Sequence, residues 1–381
     1  MQEILSPMSP ENLFSLIRGF KNIQLMKSYI RDLNPEFTEA SLTEIIIVGA
    51  SFEGRKLAEI CESNGISVSA VVDDNPMLRN AQLLELHVKP VDSLKRLNKS
   101  TPVIIASHRT LDIKIRLKNM GFSKVAPLML LQCLYPEKFS PHDFHKELQE
   151  DIFENIDEYH NLYISLSDQK SRDTLLTILI YRLLFDPLVL TLMSRDDLYA
   201  PTDIFSLSDA EVYIDGGAFD GDSIRMFLER TKNKFERVIG FEPDPTTFES
   251  LSLKIPEGIE IANLGLSSAY NEVFFEANGN RLSAVSTNGH TKATLTDLDS
   301  FLNGSVATYI KLNIEGEELD ALQGAKKTIT QYSPKLAVSA YHRPNHIWKI
   351  PLYIKSINPK YRTFLRQHEG GIVETVLYFV I

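Results

Sequence analysis

The sequence predicts an α/β fold with two parallel-sheet domains, and three observations carry that reading. Two stretches, EIIIVGASFEGRKLA from Glu44 and VYIDGGAFDGDS from Val212, each run an apolar strand through glycine into a helical pattern. Further unbroken apolar runs alternate with helical stretches after each of them, as strands covered on both faces do. The last two strand-like runs, YRTFLRQH and VETVLYFVI, are separated only by a short link, Glu369, Gly370, Gly371 and Ile372. So short a link pairs strands antiparallel, because a parallel crossover needs a dozen residues or more.

With 381 residues, 43% of them apolar and 24% charged, the chain has the composition of an ordinary globular protein of two domains. Fifty acidic against forty basic residues leave a formal charge of −10, so no general attraction to nucleic acid or to anionic bilayers is expected. Cys61 and Cys133 stand too far apart in sequence for a disulfide framework or a sulfur-rich metal site. MQEILSPMSPENLF lacks the basic region and apolar run of a signal peptide, and a cytoplasmic protein is expected. The longest apolar region, Leu175 to Met193, is broken by Tyr181, Arg182, Asp186 and Pro187 and reads as a buried helix pair, not a membrane span.

In chain order, residues 1–40 form an amphipathic helical segment, with Leu13, Leu16, Ile17 and Phe20 at helical spacing. Residues 41–139 make a small α/β domain: a strand over Glu44–Ala50, a helix to Gly65, and strands at Val68–Asp74 and Pro102–His108. A helix near Asp112–Met120 completes it. Residues 140–202 form a helical connector, and residues 203–381 the second α/β domain. Its strands are expected at Glu211–Asp215, Arg237–Glu242, Ile259–Asn263, Ala307–Asn313 and Lys335–Tyr341, followed by the closing hairpin.

Chemistry concentrates in the second domain. In VYIDGGAFDGDS the strand ends at Asp215 and the turn holds Gly216, Gly217 and Gly221, which admit positive φ and close ligand approach. Cofactors in open α/β sheets sit beyond the carboxyl ends of the strands, where this turn lies. Glu242, in VIGFEPDP, follows Asp215 by 27 residues at the end of the next strand. A carboxylate there can accept from both hydroxyls of a ribose, and Pro243 fixes the turn after it. Together the two motifs point to a ribose-bearing cofactor; for S-adenosylmethionine, the glycine turn would face the methionine moiety. Asp215 and Asp220 suit polar contacts with its ammonium or with nearby water, and Asp222 and Ser223 open the following helix within the same cofactor-binding motif.

In TYIKLNIEGEELDALQGA, alternation places Lys311, Asn313 and Glu315 on one face while the strand lasts, a set suited to substrate. A solvated edge face with helix-start carboxylates is the alternative. In KLAVSAYHRPNHIWKIPLYI an apolar run delivers Tyr341 and His342, with His346 beyond a proline; His368 and Glu374 flank the final turn. His342, directly after a buried strand, is the first choice of general base, Glu315 the second, and Tyr341 joins the substrate set. A divalent metal at Glu315, Asn313 and His342 has too incomplete a ligand set to be expected.

These pieces in this order resemble the FkbM family of methyltransferases: VYIDGGAFDGDS, IGFEPDP, YIKLNIEGEELDALQGA, AYHRP with IWKIPLYI, and ETVLY. The resemblance covers about Asp203 to Ile381. It implies a Rossmann-like class I methyltransferase sheet using S-adenosylmethionine, and methylation of oxygen on a sugar, polyketide or other small metabolite. By position, Asp215, Gly217, Asp220 and Glu242 would hold the cofactor and Glu315 would lie near the acceptor. Family members commonly carry Asp where this chain has Asn313.

The front domain resembles the small Rossmann-like nucleotide-binding domains that precede some sugar acyltransferases and some members of this family, with Gly49, Gly54, Asp73 and Asp74. Ser51 stands where the second glycine of the dinucleotide fingerprint would be. The expected partner is a small acceptor, including a nucleotide-linked sugar or a glycan, and homo-oligomers are compatible with the sequence. Two other readings stay open: a non-catalytic nucleotide- or nucleotide-sugar-binding protein, and an NAD-dependent oxidoreductase using the front domain.

Overall fold

The computed structural model describes residues 9–79, 81–107, 109–141, 146–193, 196–275 and 291–381. The first eight residues of the expected helical segment and His108, at the end of the expected Pro102–His108 strand, lie outside them, as do parts of the expected connector and second domain. The chain divides into two compact units. The first comprises Met1–Asn161, Asp173–Ser194 and Glu369–Val373, and the second Leu162–Arg172, Arg195–His368 and Glu374–Ile381.

In the first unit, helices Pro10–Arg18 and Ile23–Asp32 are capped by Ser9 and Asn22, whose side chains accept from Asn12 and Leu25 N–H groups. They bury Leu13, Phe14, Ile17, Met26 and Ile30. Strands β1 (Glu44–Val48), β2 (Ser67–Val72), β5 (Val103–Ile105) and β6 (Val125–Pro127) form a wholly parallel sheet in the order β2-β1-β5-β6. A two-stranded hairpin, β3 (Gln82–Leu83) and β4 (Leu86–His87), lies between β2 and β5 in sequence. Ile46, Val48, Val72, Val103, Ile105 and Val125 bury their side chains with Leu117 and Phe122, which is why β1, β5 and β6 read as apolar runs, while β2, SVSAVV, is buried only at its end. The helix Phe52–Ser63 starts on a tight turn, because a Cβ at Gly54 would overlap the carbonyl of Gly49. Cys61 and Cys133 are buried thiols, both pushed up to about 12 by burial.

From residue 146 to 193 the chain is helical, with helices Leu148–Glu154, Ile156–Ser165 and Gln169–Leu184. The helix pair expected over Leu175–Met193 is instead the end of one long helix and a single 3-10 turn, Pro187–Leu190. Phe185 takes φ 50, which ends the helix, and the Asp186 carboxylate accepts from Leu188 N–H at the start of the turn. Among the described residues, no helix is long and apolar enough to cross a membrane.

The second unit is built on seven strands: β7 (Val212–Gly216), β8 (Arg237–Phe241), β9 (Glu260–Ala262), β13 (Tyr309–Leu312), β14 (Lys335–Ser339), β15 (Arg362–Gln367) and β16 (Thr375–Val380). Their order is β15-β16-β14-β13-β7-β8-β9. Every pair from β14 to β9 is parallel, and β16 runs antiparallel to both β14 and β15. The mostly parallel sheet with a closing antiparallel hairpin is therefore as expected. The link inside the hairpin is longer than the short one read from the sequence: the strands stop at Gln367 and resume at Thr375, and His368 N–H donates to Glu374 O across the loop.

Three further strands, β10 (Gly265–Leu266), β11 (Asn271–Phe275) and β12 (Thr291–Thr296), make a small separate sheet that no sequence pattern announced. The main core stacks aromatic rings on the central strands. Tyr213 lies 4.4 Å from Phe227 and 4.9 Å from Tyr309, ring centre to ring centre.

Candidate active site

The chain leaves β7 toward β8 on one side, and β13 later fills the other side. Strand order reverses at β7, so its carboxyl end opens a crevice, the place where open α/β sheets take ligands. The expected cofactor residues lie at this end, yet they do not all face the same way. Asp215 is 0% exposed. Its Oδ1 accepts from Lys311 Nζ at 2.8 Å and its Oδ2 from Ser223 Oγ at 2.5 Å.

Lys311 sits directly across from Asp215 in the β13–β7 register and is 2% exposed. Its Nζ also donates to the carbonyls of Gly217 at 2.9 Å and Gly216 at 3.2 Å. The lysine expected on a substrate face is thus an internal cation that grips the glycine turn from below. The reason is physical: β13 is a central strand with both faces covered, and a charge there must find a partner inside.

Gly217 and Gly221 take φ 78 and 82, as the turn required. A Cβ at Gly217 would overlap the carbonyl oxygen of Asn313, so the end of β7 and the residue after β13 meet backbone to backbone. Phe219 adopts φ 47 within the same turn, a conformation that a bulky residue keeps only where its surroundings enforce it. One enforcing contact is visible. The Phe219 N–H donates to Glu242 Oε2 at 3.0 Å, and Asp244 N–H donates to Oε1 at 3.0 Å. Burial raises the Glu242 carboxyl above its ordinary value, and these two backbone bonds pull the other way. Asp220 is half-exposed, with Oδ1 accepting from Asp222 N–H and close to Arg225. Gly221 caps the helix Asp222–Thr231, in which Asp222 is exposed and Ser223 buried.

A second group gathers past the ends of β13 and β14. Asn313 lies just beyond β13. Its Nδ2 donates to Tyr199 Oη at 2.7 Å, and Tyr341 Oη donates to its Oδ1 at 3.3 Å. Tyr199 Oη in turn reaches Glu374 Oε2 at 3.4 Å. Strand alternation does not set Glu315, because β13 has already ended at Leu312. A left-handed turn sets it, with φ 56 at Glu315 and 104 at Gly316.

His342 is buried, with Nδ1 2.7 Å from Glu318 Oε1 and Nε2 3.6 Å from Glu315 Oε2. Burial opposes a charged ring, but Glu318, Glu315 and Glu374 outweigh it and raise the histidine above its ordinary value. His346, the first residue of the helix His346–Ile357, places Nδ1 3.1 Å from Glu318 Oε2. The sequence reading missed Glu318 and Tyr199. Glu318 looked like one more helix-start carboxylate, and Tyr199 precedes the first strand of its sheet in a stretch without periodicity. Among the described residues, no group of three or more His, Cys, Asp or Glu side chains could hold a metal ion.

In the first unit, Asp73 stands after β2 as expected, and its carboxylate is used by its own loops: Oδ2 accepts from Ala50 N–H and Oδ1 from Asn75 N–H, both at 2.8 Å. A cleft lined by Asn34, Lys114, Lys118 and Asp186 also lies in that unit; no residue of the Gly49–Gly54 turn lines it.

Residues 215–369 match the family model for the methyltransferase FkbM domain, where the sequence resemblance placed it. A crystal structure of methyltransferase FkbM from Methylobacillus flagellatus KT aligns with a TM-score of 0.73 at 24% identity, over 94% of this chain and 100% of that one. The two share a fold. The structure of LepI in complex with SAM aligns over 97% of each chain, at 11% identity and a TM-score of 0.31. The Rex-family repressor RSP aligns over 26% of this chain and 52% of that one, at 17% identity and a TM-score of 0.21. Neither of these two is similar enough to bear on this chain. No curated protein matches the sequence.

Proposed function

We propose, with the methyltransferase FkbM domain of residues 215–369 as premise, that the second unit is an S-adenosylmethionine-dependent methyltransferase acting on an oxygen of a small hydroxylated acceptor such as a sugar. The observation that carries this reading is the joining of the glycine turn to Glu242 through Phe219 N–H, at the strand-order reversal.

Each Glu242 oxygen accepts one backbone N–H and keeps a lone pair, so together they suit the two hydroxyls of a ribose. Gly216, Gly217 and Gly221, with Pro243 beside Glu242, would bring backbone close to the rest of the cofactor. Both oxygens of Asp215 are engaged inside, so half-exposed Asp220 is the better partner for the ammonium, with Asp222 and Ser223 at the start of the helix behind it. When bound, the cofactor supplies an electrophilic methyl group on sulfur.

His342 would take the proton of the acceptor hydroxyl, with Glu315 as second choice. Asn313 and Tyr341, bonded to each other, would orient the acceptor. Glu315 and Glu374 lend this region negative charge, which favours a neutral acceptor over one bearing phosphate.

Calorimetric titration with S-adenosylhomocysteine tests the reading. Micromolar binding that disappears in Glu242→Ala is expected, and no binding by the unaltered protein even at millimolar ligand would overturn it.

A further inference from the structure

We infer that Glu318 is a positioning residue for the base: one buried carboxylate holds His342 with Nε2 turned to Glu315 and pins the turn that carries Glu315. The inference rests on the methyltransferase reading of this site and deepens it.

Glu318 is 0% exposed. Its Oε1 faces three donors: His342 Nδ1 at 2.7 Å, Ile314 N–H at 2.9 Å and Gly316 N–H at 3.4 Å. Its Oε2 faces His346 Nδ1 at 3.1 Å. Ile314 and Gly316 are the two neighbours of Glu315. Their N–H groups, converging on one oxygen, hold the left-handed backbone that Glu315 and Gly316 adopt. The same oxygen therefore bonds both the ring of His342 and the turn that carries Glu315.

The arrangement also decides which ring nitrogen works. Burial alone would raise the Glu318 carboxyl, but the two histidines outweigh it and hold the group well below the usual carboxylate range. An ionised carboxylate accepts and cannot donate. The short bond to His342 Nδ1 therefore requires a hydrogen on that nitrogen, and Nε2 is left as the atom that gains and loses the proton. Nε2 is the nitrogen nearer Glu315. Besides Glu318, the groups that face or flank this ring are Glu315 on the turn, Glu374 before β16, His346 at the helix start, and Tyr341 beside it.

The test is nitrogen NMR of histidine-labelled full-length protein, with His342 assigned by its loss in His342→Asn. In the unaltered protein, neutral His342 should carry its hydrogen on Nδ1 and titrate above a free histidine. In Glu318→Gln the midpoint should fall by about one pH unit or more and the tautomers should mix.

A hydrogen on Nε2 in the neutral unaltered protein overturns the inference without any variant, so failure of Glu318→Gln to fold does not shield it. An unmoved midpoint and tautomer in folded Glu318→Gln overturns it as well. The readout needs neither cofactor nor acceptor. Loss of the methyltransferase reading by calorimetry is thereby distinguishable from loss of the positioning role.

Discussion

Replacing Lys311 by Met tests the buried ion pair that Lys311 makes with Asp215 in the second unit. The substitution leaves the length of the side chain nearly unchanged and removes its charge. Asp215 would keep only Ser223 as a bonded partner among those described above, while remaining 0% exposed. The carbonyls of Gly216 and Gly217 would lose the donor that now holds them. Breaking a buried pair by removing one member costs about 3–5 kcal/mol, because the other charge stays buried.

The protein has one tryptophan, Trp348, in the helix His346–Ile357 of the second unit, so its fluorescence follows that unit's unfolding. With a urea slope of about 2–3 kcal/mol per molar, the midpoint should fall by roughly 1–2.5 M. The double variant Lys311→Met with Asp215→Asn should recover a large part of that loss, since no charge is then stranded. A midpoint shift below about 0.3 M, on the same slope, would refute the reasoning. So would a double variant as unstable as the single one.

Two further outcomes follow from the same geometry. Gly217→Ala combines a positive φ with a Cβ that overlaps the Asn313 carbonyl, and should cost about 2–5 kcal/mol by tryptophan-detected unfolding; a cost under about 1 kcal/mol would show that the turn is not held there. His342 is raised in the folded state. Its contribution to stability should be fully present below the unfolded value of about 6.5 and be lost as pH rises through the folded value. The melting difference between the unaltered protein and His342→Gln should therefore shrink as pH rises above about 6.5, and a widening gap would contradict the assignment.

What the sequence disclosed and what it hid follow from the range of the forces involved. Strands β1, β7, β8 and β14 were legible to within a residue or two because both faces are covered and their apolar runs are unbroken. Strands β11 and β12, NEVFF and TKATLT, mix polar and apolar residues and show no such run. Glycine turns were legible from composition alone, since the backbone conformation is a local property.

Side-chain destinations were not legible. Nothing near Lys311 in sequence says that it lies opposite Asp215, 96 residues away, because register is decided by the whole sheet. Glu315 was found by alternation for the wrong reason, its position coming from a left-handed turn. Glu318 is 24 residues from the histidine it holds, and its neighbour Glu317 has the same local signature and takes a less buried place beside Arg343.

The loop of the closing hairpin has a consequence for synthesis. Residues Glu369–Val373 belong to the first unit, where Gly370 O accepts from Leu111 N–H and Thr110 Oγ1, and where a Cβ at Gly370 would collide with Leu111. A ribosome that has just emitted Asn161 must add some two hundred more residues before that loop exists, a wait of roughly 10–40 s at ordinary elongation rates. Through that interval the amide of Leu111 waits for its acceptor, and chaperones or solvent must tend the gap. The first unit to be started is among the last to be finished, and truncations near the end of the chain should wound a region whose other residues were made long before.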